Sequence, residues 1–199
     1  MQQLDIWRGD FGQAYTDRNI EDWNLRLPAF REILEGQPVR RVVEIGCNRG
    51  HNLVALSELL GDEAEVVGVE PNPYAQQLAR TFSSKVGVLQ GNVFDLPFKD
   101  GFFDLSFTAG VLIHIALEDL PRALAEIHRV SRRYILAMEY FAEEETAIPY
   151  QGRTDLLWKR DFLKHYRAQF PELRLVRQGF YGKDRGFDRT TYWLLEKPE

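Results

Sequence analysis

The sequence has a single cysteine, Cys47, so no intrachain disulfide can staple the fold and stability must come from a buried core. No other residue supplies Cys47 with an activating partner, and after Gly46 it reads as a small buried residue. No apolar run approaches the ~20 residues that a bilayer-spanning helix needs, and no basic-then-apolar leader opens the sequence. A cytoplasmic protein without a membrane partner is therefore expected. Positive charge is also in short supply: 25 Lys and Arg against 30 Asp and Glu give a net −5. That argues against a nucleic-acid partner, whose usual footprint is a basic face. The four histidines, His51, His114, His128 and His165, show no ligand spacing with one another or with the cysteine, and no metal is expected. Internal repeats and low-complexity segments are missing as well.

What the sequence does have is concentrated in residues 41–52, RVVEIGCNRGHN. Residues 41–45 are rich in β-branched side chains and read as a short buried strand, with Gly46, Asn48 and Gly50 following at once as a tight turn. Leu53, Val54, Leu56, Leu59 and Leu60 then recur at helical spacing until Gly61, so the turn opens into a helix N-terminus. A ligand belongs above such a turn. In an open α/β sheet the crevice beyond the carboxyl ends of the strands is the binding place, and glycine lets ligand atoms approach the backbone. The dinucleotide pattern GxGxxG fails here, because Asn48 stands at its second glycine. Glu44 adds a carboxylate where a diphosphate would be repelled and a sulfonium or an amino group welcomed. Glu70 ends a second strand 20 positions after Gly50, where it can accept hydrogen bonds from both hydroxyls of a ribose.

Elsewhere the pattern is that of alternating strands and helices. Asn19 is placed to cap a helix with Asp22 at its third position, Pro28 suits the first turn of another, and Trp7, Phe11, Tyr15 and Trp23 make the N-terminal segment too aromatic for a solvated helix. A helix over 74–82 and a strand over 85–89 follow Glu70. A fourth strand over 103–108 ends in the small residues Thr108, Ala109 and Gly110. A helix capped by Glu118 or Asp119 runs through Ser131, and a fifth strand over 134–138 brings Glu139, Tyr140 and Phe141 to the same rim as Gly46. Residues 142–157 form the longest connection, and a helix over 161–169 leads to a closing antiparallel pair, 173–179 and 190–195.

Three features keep two readings each. His114, alone among apolar neighbours, is either a hydrogen-bonded core group or a general base. Glu139 is either a solvated strand terminus or a carboxylate that orients a substrate hydroxyl or amine. Basic residues outnumber acidic ones only in 151–199, where Lys183, Arg185 and Arg189 are either ordinary loop charge or a source of anion affinity.

The motifs resemble those of the class I S-adenosylmethionine-dependent methyltransferases: Glu-x-Gly-x-x-x-Gly at the end of the first strand, an acid ending the second, and GNVFDLPFKDGFFDLSF leading through the fourth. The resemblance implies a Rossmann-like, doubly wound seven-stranded sheet, mostly parallel with an antiparallel C-terminal hairpin. It implies one domain over 1–199, with 1–36 as a helical lid and 37–199 as the core. S-adenosyl-L-methionine is then the cofactor and S-adenosyl-L-homocysteine its product. Glu44, Gly46, Cys47, Asn48, Gly50, Glu70, Pro71, Asn92, Val93 and Thr108 are assigned to it, joined by Tyr15 and Arg18 from the lid. His114 and Glu139 are the candidates for acceptor activation.

Short runs outside these motifs, FGQAYTDRN, GVLIHI, EYF, IPYQGR and WLLEK, resemble the methylases associated with pseudaminic acid biosynthesis. That likeness implies transfer to O or N of a small polar, anionic acceptor such as a nonulosonic acid or another modified sugar. Tyr140, Tyr150, Arg153, Lys183 and Arg185 are the acceptor contacts expected, in a monomer or homodimer. The rivals are a catalytically idle module that binds the same nucleosides and a methyltransferase acting on another metabolite or a protein. A NAD-dependent reductase is disfavoured by Glu44 and Asn48.

Overall fold

Strands form where apolar and β-branched residues run together: β1 (Arg41–Ile45), β2 (Glu65–Glu70), β3 (Gly87–Gln90), β4 (Phe103–Ala109) and β5 (Ser131–Glu139). A two-residue pair, β6 (Thr146–Ala147) and β7 (Trp158–Lys159), stands apart from them, and β8 (Arg174–Tyr181) and β9 (Thr190–Glu196) close the chain. In this computed structural model, which describes residues 2–198, seven strands lie in the order β3-β2-β1-β4-β5-β9-β8. The first five pair in parallel, while β9 runs antiparallel to both β5 and β8. The doubly wound sheet with an antiparallel C-terminal pair is thus present. The outermost residues of the expected domain, Met1 and Glu199, lie outside the described residues. Among those described, no helix is long and apolar enough to cross a membrane.

Helices cover both faces. One face packs α3 (Leu27–Ile33) and α4 (His51–Leu60) through Phe30, Leu53 and Leu56 onto Phe107 and Leu136. The other packs α6 (Leu120–Val130) and α7 (Phe162–Gln169) through Leu124, Ile127 and Phe162 onto Ile45 and Ile135. Beyond β2, α5 (Pro73–Phe82) is started by Asn72, whose side-chain oxygen accepts from the amides of Tyr74 and Ala75.

The N-terminal segment folds as α1 (Gln2–Arg8) and α2 (Asp10–Arg18) and is pinned across the rim. Asn72 Nδ2 donates to the carbonyls of Trp7 (2.9 Å) and Gly9 (3.2 Å), Thr16 Oγ1 donates to Asn48 Oδ1 (2.8 Å), and Tyr74 Oη donates to Asp17 (2.7 Å). The expected N-cap at Asn19 is corrected. Asn19 ends α2, its Nδ2 donating back to the Tyr15 carbonyl at 2.7 Å, and Asp22 starts the short 3-10 turn Trp23–Arg26 instead. The third strand begins two residues later than expected, because Lys85 sits in a turn held by Ser83 Oγ.

Gly12 makes the docking of α1 and α2 possible. A Cβ there would fall 1.9 Å from the Trp7 carbonyl oxygen and 2.7 Å from Asn72 Nδ2. Gly12→Ala is therefore expected to weaken the docking by roughly 1–3 kcal/mol, as overpacking does. In hydrogen exchange, residues 2–18 should lose protection while β1, β4 and β5 keep theirs; unchanged protection over 2–18 would contradict this.

Candidate active site

The carboxyl ends of β1, β2, β4 and β5 open into a cavity of about 450 Å³, walled on its far side by α1 and α2. Its floor is the turn after β1. Gly46 holds φ 78°, its N–H donates to the Val69 carbonyl at 2.7 Å, and a Cβ there would lie 2.5 Å from Val111 Cγ2. Asn48 also lies in the left-handed region, at φ 46°, which asparagine tolerates better than most residues. It thus meets the conformational demand of a turn glycine and adds a side chain that receives Thr16.

Two carboxylates flank this turn. Glu70 Oε2 accepts from the Asn48 amide and Oε1 from the Asn72 amide, both at 2.8 Å, so the acid is fixed by the two loops it separates. Glu44 is 2% exposed. Its Oε1 accepts from Asn52 Nδ2 at 2.6 Å, whereas Oε2 is buried with no partner among the described residues. Burial pushes Glu44 up to about 8 and Glu70 up to about 7, against the hydrogen bonds that favour their charged forms.

The opposite wall is aromatic. The Trp7 ring lies 5.3 Å from Tyr15 and 4.5 Å from His114, and the His114 ring lies 5.8 Å from Tyr150. His114 Nδ1 sits 2.5 Å from the Leu156 carbonyl, which fixes the tautomer with hydrogen on Nδ1 and leaves Nε2 as an acceptor. Burial pushes this imidazole down to about 4, so it is neutral at physiological pH. Burial also raises the hydroxyls of Tyr15, Tyr140 and Tyr150, keeping them protonated donors; Tyr140 Oη donates to Asp188 at 2.9 Å. The Cys47 thiol is raised well above its ordinary value by burial.

Most of the residues singled out from the sequence meet here. Tyr15, Arg18, Glu44, Gly46, Cys47 and Asn48 line the cavity, as do Glu70, Pro71, Asn92, Val93, His114, Tyr140 and Tyr150. Six do not. Gly50 is the left-handed residue that starts α4, and Thr108 is fully buried in β4. Glu139 is corrected from a solvated terminus or acceptor contact to an internal anchor: it is 0% exposed, and its oxygens accept from the amides of Val111 (3.3 Å), Leu112 (3.1 Å) and Ile113 (3.3 Å). Arg153 is paired with Asp155 at 2.7 Å outside the cavity. Lys183 and Arg185 lie in a 3-10 turn, and the same loop offers Gly186, Phe187 and Asp188 to the wall in their place.

The cations of the wall are instead Arg18, Arg26 and Arg49, facing the acids Glu21, Glu44, Glu70, Asp119 and Asp188. Sequence reading missed Arg26, Asn52 and Asp188. Asn52 carried a usable signal, a polar residue on the buried face of the first helical turn after the glycines. Among the described residues no group of three or more His, Cys, Asp or Glu is placed to hold a metal ion.

Residues 43–134 match a protein family described as a methyltransferase domain. An uncharacterized methyltransferase of Schizosaccharomyces pombe is 30% identical over 130 residues, 59% of this chain and 46% of that protein. A demethylmenaquinone methyltransferase of Lactiplantibacillus plantarum is 34% identical over 98 residues, covering 45% and 39%. This chain thus spans less than half the length of these curated relatives. A crystal structure of the Burkholderia thailandensis 1,6-didemethyltoxoflavin-N1-methyltransferase, with 1,6-didemethyltoxoflavin and S-adenosylhomocysteine bound, superposes with a TM-score of 0.74 at 17% identity over 100% of this chain and 90% of that one. The fold is the class I methyltransferase fold.

Glu44 sets an expectation for pH. A carboxyl whose pKa is raised by folding keeps a proton that the unfolded chain has released, so stability falls as pH climbs from 4.5 through about 8. Glu44→Gln should flatten that fall and raise the melting temperature by at least about 3 °C on its alkaline side. Thermal melts across this range check it; parallel profiles for the two proteins would assign the pH dependence elsewhere.

Proposed function

We propose that this chain, whose residues 43–134 match a methyltransferase-domain family, is an S-adenosylmethionine-dependent methyltransferase acting on O or N of a small polar acceptor. One observation carries the reading: Glu44 and Glu70 end adjacent strands on either side of the Gly46–Asn48 turn and leave complementary acceptors open. Glu44 Oε2, buried without a partner, suits the ammonium of the amino-acid end. Glu70 uses one lone pair of each oxygen on a loop amide, and a carboxylate oxygen has a second to offer a ribose hydroxyl. Asn92 and Val93 line the same cavity on the side of β3 and suit the adenine.

When bound, the cofactor supplies a methyl group on a positively charged sulfur, ready for in-line displacement. The chain's own residues then have two tasks, to orient the acceptor and to exclude water. His114 Nε2 accepts a hydrogen bond from the acceptor and lines it up, while Trp7, Tyr15 and Tyr150 close the cavity over it. With a pKa near 4, His114 is a weak base, which favours an amine lone pair or a hydroxyl that needs aiming more than deprotonating. An anionic acceptor of the nonulosonic acid kind would place its carboxylate toward Arg18 and Arg49.

Calorimetric titration with S-adenosylmethionine, S-adenosylhomocysteine and NADH tests the proposal: the two sulfur nucleosides should bind and NADH should not. Glu70→Ala should weaken nucleoside binding by roughly 1.5–3 kcal/mol through loss of charge-assisted hydrogen bonds, whereas His114→Ala should leave it unchanged. A folded Glu70→Ala variant of undiminished affinity would sink the site assignment.

A further inference from the structure

The cavity wall holds a carboxylate and a guanidinium that do not touch. Arg26 Nη1 donates to Asn52 Oδ1 at 2.7 Å, and Asn52 Nδ2 donates to Glu44 Oε1 at 2.6 Å. The amide orientation is dictated by Arg26, since a guanidinium can only donate and must therefore meet the amide oxygen, which leaves the NH2 for Glu44. Arg26 is itself held by the loop after β8: its Nε donates to the Gly186 carbonyl at 3.0 Å, and its guanidinium lies 5.1 Å from the centre of the Phe187 ring. Asn52, 5% exposed in the first turn of α4, is thus clamped between two anchored groups.

An ion pair kept only for stability would close directly; here an amide spacer holds the charges apart and leaves one carboxylate oxygen unmet. Resting on the reading of the cavity as a nucleoside site, we propose that Asn52, clamped by Arg26, is a positioning residue that turns Glu44 so that Oε2 alone stays open for a cationic N–H donor, making recognition of the amino-acid end depend on two residues outside the glycine motif. Without Asn52, both oxygens of Glu44 lose their orientation and the buried acid retains its proton more readily. The charged groups acting on Glu44 are Arg26, which favours its charged form, and Glu70, which opposes it.

Two ligands separate this role from a structural one. S-adenosylhomocysteine carries the ammonium; 5′-methylthioadenosine keeps nucleoside and sulfur but lacks the amino-acid end. In calorimetry, Asn52→Leu should lose about tenfold or more in affinity for S-adenosylhomocysteine, with affinity for 5′-methylthioadenosine kept within about twofold. Arg26→Gln should shift the two ligands in the same sense and by less. Affinity for S-adenosylhomocysteine should rise with pH as Glu44 loses its proton, near pH 8 in the parent protein and higher in Asn52→Leu. Equal losses for both ligands in folded variants, or none for S-adenosylhomocysteine, would overturn the inference alone. Failure of the parent protein to bind either nucleoside would overturn the functional reading, and this one with it.

Discussion

A carboxylate can be buried only if something donates to it, and three times along one edge of the sheet this requirement shapes the turn that follows a strand. At the end of β2, Glu70 gathers the amides of Asn48 and Asn72 and so fixes two loops at once. At the end of β5, Glu139 takes the amides of Val111, Leu112 and Ile113 and orients the turn that ends in His114. At the end of β1, Glu44 takes a side-chain amide and keeps one oxygen unmet. In the first two, every carboxylate oxygen meets at least one backbone amide. In the third, one buried oxygen has no partner among the described residues, and it lies in the wall of the cavity that the rim encloses.

The other half of the cavity is held by segments far apart in sequence. The excursion that carries β6 and β7 reaches back to the turn after β4, where the Leu156 carbonyl holds His114 and buried Arg160 donates to the Ile115 carbonyl at 2.6 Å. Gln3 of α1 bridges the same region, donating to the Asp155 carbonyl at 3.0 Å and accepting from the Ala116 amide at 3.2 Å. The aromatic wall is therefore set jointly by the first helix, the excursion after β5 and a short turn. Backbone carbonyls and amides, more than salt bridges, make the joins.

What could be read from the sequence and what could not divide along physical lines. The strand–turn–helix of 41–60 and the acid at position 70 are legible because each rests on local periodicity and on glycine at defined offsets, whereas the mostly parallel sheet follows only from the resemblance of these motifs to a known family. Asn19 is ambiguous in the sequence because an asparagine at a helix end looks the same from either side; which helix it serves depends on the Tyr15 carbonyl being within reach. The C-terminal cations looked like a binding set on charge alone, yet their loop turns Gly186 and Phe187, not Lys183, toward the cavity. Arg26 and Asn52 are invisible in the sequence because their connection spans 26 residues and exists only once the 3-10 turn Trp23–Arg26 and α4 have packed together. Glu139 was seen at the right edge, but whether such an acid meets solvent or amides is settled by the turn after β4, which no pattern in β5 encodes.

Asn48 carries a consequence for how this chain can vary. Its backbone sits where glycine would be comfortable, while its side-chain oxygen receives the hydroxyl of Thr16 from α2. Glycine would keep the turn and remove one of the bonds that pin α2; alanine or any β-branched residue would strain the turn and remove the same bond. Two requirements from distant parts of the molecule intersect at one residue, so the substitutions open to position 48 are fewer than its place in an ordinary loop would suggest.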